Sequence, residues 1–157
     1  ALLLAINRIP QLYYGTEILM NGTKEITDGN VRKDFPGGFP GDAVNKFSAE
    51  GRTKAENEMF NWLSRLLHWR QGNEVITKGK QTQFIPYNGV YVIARQYNGK
   101  TVMTILNGKR SDNSLKVERY AEIIGSTTSA TDVITGQKVD LRSDIKLSQR
   151  QALILEF

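Results

Sequence analysis

Residues 13–42 carry the side chains best suited to chemistry: Tyr13, Tyr14, Glu17, Asp28, Arg32, Asp34 and Asp42. Carboxylates can serve as general acids and bases. A carboxylate also accepts hydrogen bonds from hydroxyl groups, and a guanidinium donates in a fixed fork. The run Asp28-Gly29-Asn30-Val31-Arg32 could therefore hold neighbouring hydroxyls from two sides. The plain alternative is an ordinary Asp-Gly turn followed by a solvated charge. No two of the four acids have a spacing that a two-carboxylate mechanism dictates. There is no cysteine, which excludes thiolate metal sites and disulfides, and His68 is the sole histidine. No Asp-rich calcium loop of the hand type is present either, so no metal or other cofactor is expected.

The elements that must position these groups change character along the chain. Residues 1–8, with the apolar run "ALLLAI", read as the end of a helix. Pro10 discourages its continuation and pushes Ile9 toward an extended conformation. Residues 11–16 read as a strand buried on both faces, with Leu12, Tyr13 and Tyr14 in one apolar run and the tyrosines as core. Residues 20–51 lack sustained periodicity and are punctuated by Gly22, Gly29, Pro36, Gly37, Gly38, Pro40 and Gly41. A loop of this length inside a compact protein is usually functional. Phe35 and Phe39 in it are read as loop anchors rather than ligand platforms. "TKAE" at 53–56 is a capping box, with Thr53 and Glu56 exchanging bonds to backbone amides. The spacing of Met59, Phe60, Leu63, Leu66 and Leu67 then predicts an amphipathic helix over 53–71, stopped near Gly72. His68 lies on that helix, far from the loop.

After residue 73 the pattern is that of short strands. Asn88-Gly89, Asn98-Gly99 and Asn107-Gly108 recur at intervals of about ten residues, and Asn-Gly suits tight hairpin turns. The runs 90–97, 101–106, 132–141 about Gly136, and 151–157 predict an antiparallel sandwich. Tyr87, Tyr91 and Tyr97 could form a surface ligand site. The alternation along 90–97 instead favours core or half-buried positions for Tyr91 and Tyr97.

Bulk composition sets outer bounds. A chain of 157 residues with 39% hydrophobic content can bury a real core. The net charge of +5 is scattered and reads as a solvated surface, so no nucleic-acid partner is expected. No apolar run approaches the roughly 18 residues of a membrane span.

With these residues in view, "RIPQLYYGTEI" (8–18) resembles the α-amylase family, glycoside hydrolase family 13, in its neopullulanase and cyclomaltodextrinase branch. Arg8 stands where the family pattern has glycine. The resemblance implies that 11–16 is the last strand of a (β/α)8 barrel and that 53–71 is the last barrel helix. An antiparallel C-terminal sandwich follows. The expected organisation is α+β: a barrel remnant over 1–73 and a β-sandwich domain over 74–157.

The resemblance also implies function. The intact enzyme would hydrolyse α-1,4-glucans (starch, maltooligosaccharides, pullulan or cyclodextrins) with retention. Retention needs two carboxyl groups about 5–5.5 Å apart. The family's Asp nucleophile, Glu acid/base and second Asp lie on earlier strands, so no catalytic residue is expected in this chain. Asp28 and Arg32 would line sugar subsites. Tyr13, Tyr14, Gly15 and Glu17 would form a structural motif, with Glu17 bonding the backbone of the next loop. An extracytoplasmic location and self-association through apolar faces are also expected. The alternative reading is a non-catalytic β-sandwich carbohydrate-binding module.

Overall fold

A computed structural model describes residues 1–6 and 8–157. Helix α1 spans Leu2–Ala5, α2 Lys54–Arg70, α3 Glu74–Lys78 and α4 Ala121–Ile124. The strands are β1 Lys80–Gln83, β2 Val90–Tyr97, β3 Lys100–Asn107, β4 Asn113–Leu115, β5 Ser129–Asp132, β6 Lys138–Asp140, β7 Ile145–Leu147 and β8 Ala152–Glu156. The chain divides into two compact units, 11–65 and 1–10 with 66–157.

The larger unit is built on a six-stranded antiparallel sheet in the order β1-β2-β3-β8-β5-β6. A second sheet pairs β4 with β7, and both its strands are antiparallel. The expected antiparallel domain is thus present. Asn98 and Gly99 turn β2 into β3 with φ of 48° and 73°, the positive torsions a two-residue hairpin requires. Gly136 closes the β5–β6 hairpin, and β8 lies in the middle of the sheet. The third Asn-Gly pair is not a hairpin turn. Asn107 ends β3, is 3% exposed, and donates through Nδ2 to Ser111 O and Ser148 O at 3.0 and 2.8 Å. Its side chain ties loops together, a role the dipeptide alone does not signal.

The near-continuous apolar runs of β2 and β3 have a physical cause: both faces of the sheet are buried. One face presents Val92, Met103, Ile105, Leu153 and Leu155, packed with Leu115, Ile145 and Leu147 of the small sheet and Tyr120 and Ile124. The other presents Ile93, Val102 and Ile154, and on that side α1 and α3 approach β2 and β3 with Leu4 and Ile76 buried. Burying apolar side chains on two faces contributes most of the stabilisation, about 1.5–3 kcal/mol for each large side chain.

Arg95 sits on that second face at 1% exposure. It donates to Ile76 O at 2.6 Å and holds the α3 end against β2. Arg70, at the end of α2, donates to Leu4 O, and to Arg8 O at 2.9 Å, fastening residues 1–10. Burial lowers the pKa of both guanidiniums, and for Arg95 the neighbouring Arg70 adds to the effect. Trp69 Nε1 and Asn73 Nδ2 both donate to Glu156 Oε1, at 2.8 and 3.0 Å.

Helix α2 follows its predicted capping box. Thr53 N donates to Glu56 Oε2 at 2.7 Å, and Glu56 N donates to Thr53 Oγ1 at 3.3 Å. Lys46 adds an ion pair to the same carboxylate, which lowers the Glu56 pKa.

Residues 11–16 are not a strand. They run as irregular chain into a tight turn and a short 3-10 helix, Thr16–Ile18. Tyr13 and Tyr14 are 55% and 43% exposed, so they are not core in this chain. The reason is pairing. Backbone donors and acceptors of a buried strand need neighbours, and every strand among the described residues begins at or after Lys80. The turn satisfies the backbone locally, with Thr16 N and Thr16 Oγ1 both donating to Tyr13 O at 3.2 and 2.6 Å.

Candidate functional site

The unit 11–65 is mostly loop, and its order comes from short polar links. Gly15 adopts φ +83°, and a Cβ there would meet Met20 Sδ at 2.4 Å. Only glycine fits this left-handed, close approach. The Gly15 carbonyl accepts from Ile18 N and Met20 N, at 3.2 and 2.9 Å, completing the turn.

The adjacent tyrosine rings lie 4.6 Å apart at 40°. Tyr14 OH donates to Lys33 O at 2.8 Å, so the turn at 13–16 is joined to the end of the Asp28–Arg32 segment. Lys33 Nζ in turn donates to Asn21 O at 3.2 Å. Hydrogen bonding with Tyr13 raises the Tyr14 pKa, helped by desolvation and the Asp34 charge and opposed by Arg32.

Asp28 opens a single 3-10 turn, Asp28–Val31, and Arg32 caps its end. Thr27 begins the turn, its Oγ1 accepting from Asn30 N at 3.1 Å. Asn30 Oδ1 accepts from Thr23 N at 2.8 Å and pins the turn to the preceding loop. Asp28 and Arg32 thus bracket one short, well-tied turn. Both are exposed, and neither side chain hydrogen-bonds another described residue. Beside the turn is a small cleft of about 260 Å³, lined by Tyr13, Tyr14, Met20, Asn30, Val31 and Lys33 among others.

Glu17 is half-buried and makes no hydrogen bond to a described residue. The link to the next loop that was expected of it is supplied by Tyr14. The Asp42 carboxylate accepts from Gly37 N and Phe39 N at 2.7 and 3.1 Å, which organises the Pro-Gly loop. Phe35 packs on Phe47 with centroids 4.5 Å apart, an anchor as expected, while Phe39 is 58% exposed. Thr27 and Asn30, which hold the turn, are missed by reading acids and arginines alone. The spacing Thr-x-x-Asn at 27–30 is the signal that could have found them.

Residues 81–156 match the cyclo-maltodextrinase C-terminal domain family. Among solved structures, an Anoxybacillus α-amylase superposes over 98% of this chain and 30% of its own, at 19% identity and a TM-score of 0.72. An α-amylase from Geobacillus thermoleovorans, solved with acarbose, does so over 98% and 31%, at 21% identity and 0.70. AmyP, solved with maltose, matches over 67% and 21%, at 17% identity and 0.57. The chain spans less than a third of the length of each of these proteins. At these identities the likeness is one of fold. With the family match it bears out the α-amylase resemblance carried by "RIPQLYYGTEI".

Proposed function

We propose, for a chain whose residues 81–156 match the cyclo-maltodextrinase C-terminal domain family, that it serves as the C-terminal part of an α-amylase-type glycoside hydrolase. The intact enzyme hydrolyses α-1,4-glucans with retention of anomeric configuration. In this reading residues 1–73 complete a catalytic barrel and 74–157 form its C-terminal domain. The nucleophile, the acid/base and the third carboxylate come from barrel strands outside this chain, so the chain alone releases no sugar.

The contribution of this chain to the site is binding. One observation carries that reading: Asp28 and Arg32 flank a single turn held by Thr27 and Asn30, and neither side chain hydrogen-bonds another described residue. A carboxylate free to accept and a guanidinium free to donate suit the vicinal hydroxyls of a glucose unit. Barrel loops that follow strand ends are where such contacts are made. The tie from Tyr14 to Lys33 supports the same segment from the other side.

The test uses the intact enzyme carrying Arg32→Ala or Asp28→Ala. Loss of charged hydrogen bonds made throughout the reaction is expected to raise KM for maltoheptaose about ten- to a hundredfold. Unchanged KM and kcat in both variants would remove Asp28 and Arg32 from the site.

A further inference from the structure

Asn21, Asn88, Asn98 and Asn107 each precede a glycine. Such a pair can react with itself in water. The glycine nitrogen, on losing its proton to base, attacks the Cγ of the asparagine amide. A new C–N bond closes a five-membered succinimide, and the side-chain nitrogen leaves as ammonia, carrying that proton. Water then opens the ring at one of its two carbonyls. One opening gives aspartate; the other gives isoaspartate, in which the main chain runs through the side-chain carbon. One water enters and one ammonia leaves, with no oxidant or reductant. Glycine favours the attack because no Cβ stands in its way.

The four pairs share this chemistry, so the fold decides which of them reacts. Ring closure needs a free asparagine amide and a following peptide that can turn. Asn107 has neither. It is 3% exposed, and its Nδ2 is held by Ser111 O and Ser148 O. Its Oδ1 accepts from Lys109 N at 3.1 Å, and Gly108 N is engaged with Gly89 O at 2.8 Å.

Asn88 is tied at both ends of its amide. Nδ2 donates to Asn113 Oδ1 at 3.2 Å, and Oδ1 accepts from Lys109 Nζ at 2.6 Å. Lys109 also covers Gly89, where a Cβ would meet Lys109 Cε at 2.9 Å. At Asn21 it is the peptide that is held. Asn21 O accepts from Lys33 Nζ at 3.2 Å, and Gly22 packs on the Asn30 carbonyl.

Asn98 has none of these restraints. It is exposed at the tip of the β2–β3 hairpin, beyond the last pair Tyr97↔Lys100. Neither its side chain nor the Asn98–Gly99 peptide hydrogen-bonds a described residue. A Cβ at Gly99 would meet nothing within 4 Å. Only the turn itself opposes closure, with φ of 48° and 73° at the two residues. Rotating this one peptide breaks no buried contact, and openings of that kind lie at the low end of the range of local stabilities.

We infer that Asn98 is the site of spontaneous deamidation in the folded protein, with water as co-reactant, and that the fold protects the other three pairs. The product carries a new carboxylate next to Lys100, so the net charge falls one unit below +5. Isoaspartate also lengthens the main chain by one atom. A two-residue turn has no room for it, so the Tyr97↔Lys100 pair opens. Nothing in this chemistry depends on the glucan activity proposed above.

The test incubates the intact protein under native conditions at mildly alkaline pH. Peptide mapping by mass spectrometry follows the four sites, and an isoaspartyl methyltransferase marks isoaspartate. Asn98 is expected to convert about tenfold or more faster than Asn107, and about threefold or more faster than Asn88 and Asn21. In denaturing urea the four rates should fall within about threefold of one another, because protection is lost. Lys109→Ala frees the Asn88 amide and should raise the Asn88 rate about threefold or more, leaving Asn98 unchanged. A folded protein in which Asn98 is not the fastest site, or in which it stays intact while the unfolded chain converts, would overturn the assignment. An Asn88 rate indifferent to Lys109→Ala would overturn the protection assigned to that pair.

Discussion

Trp69 Nε1 donates to Glu156 Oε1 at 2.8 Å across 87 residues of sequence. One carboxylate oxygen also receives Asn73, so the end of α2, the start of α3 and the last strand meet at a single acceptor. Removing it leaves two part-buried donors unpaired. Glu156→Leu is expected to lower stability by about 1–3 kcal/mol. Glu156→Gln keeps an acceptor oxygen and is expected to lose less. Urea unfolding followed by tryptophan fluorescence checks both, and equal midpoints for wild type and Glu156→Leu would refute the link.

Gly15 is the second test point. A side chain there is strained by φ +83° and would meet Met20. Gly15→Ala is expected to cost on the order of 1–3 kcal/mol. It should also loosen the contact from Tyr14 to Lys33, seen as faster amide exchange over the 13–33 segment. Unaltered exchange would show that the turn tolerates a Cβ.

The Asp140–Arg142 pair makes a pH prediction. The Arg142 guanidinium donates to both Asp140 oxygens, at 2.9 and 3.0 Å, and lowers that carboxyl from 3.8 to about 2. A depressed carboxylate favours the folded state above its unfolded pKa, and that contribution is lost as pH falls through the folded value. The pair should therefore hold above about pH 4 and be released by about pH 2. NMR titration of the Asp140 carboxyl checks this. Arg142→Ala should return the midpoint toward 3.8.

Self-association is expected from the exposed apolar side chains. Ile26, Phe39, Val44 and Phe47 are 66%, 58%, 47% and 63% exposed, all within 11–65. Burying such area between two copies is favourable. Sedimentation velocity should show association rising through micromolar concentrations. A single monomeric species throughout would refute it.

What the sequence made legible follows from how local each signal is. The capping box at Thr53 and Glu56, the Asn98-Gly99 turn and the runs of β2, β3 and β8 are set by neighbouring residues, and all appear. Residues 11–16 were misread because an apolar run predicts a strand only where partners exist. Asn107 was misread because its amide serves the Ser111 carbonyl and, 41 residues along the chain, that of Ser148. In the candidate site, Asp28 and Arg32 were visible as residue types. Their support by Thr27, Asn30 and Tyr14 depends on a folded turn and was not.

We propose above that this chain is part of a retaining α-glucan hydrolase. That proposal is tested most directly by incubating the intact enzyme with maltoheptaose and following the anomeric protons of new reducing ends by NMR. Initial release of the α-anomer is expected, with none from the 157-residue chain alone. Absence of sugar release by the intact enzyme, or initial release of the β-anomer, would contradict the account.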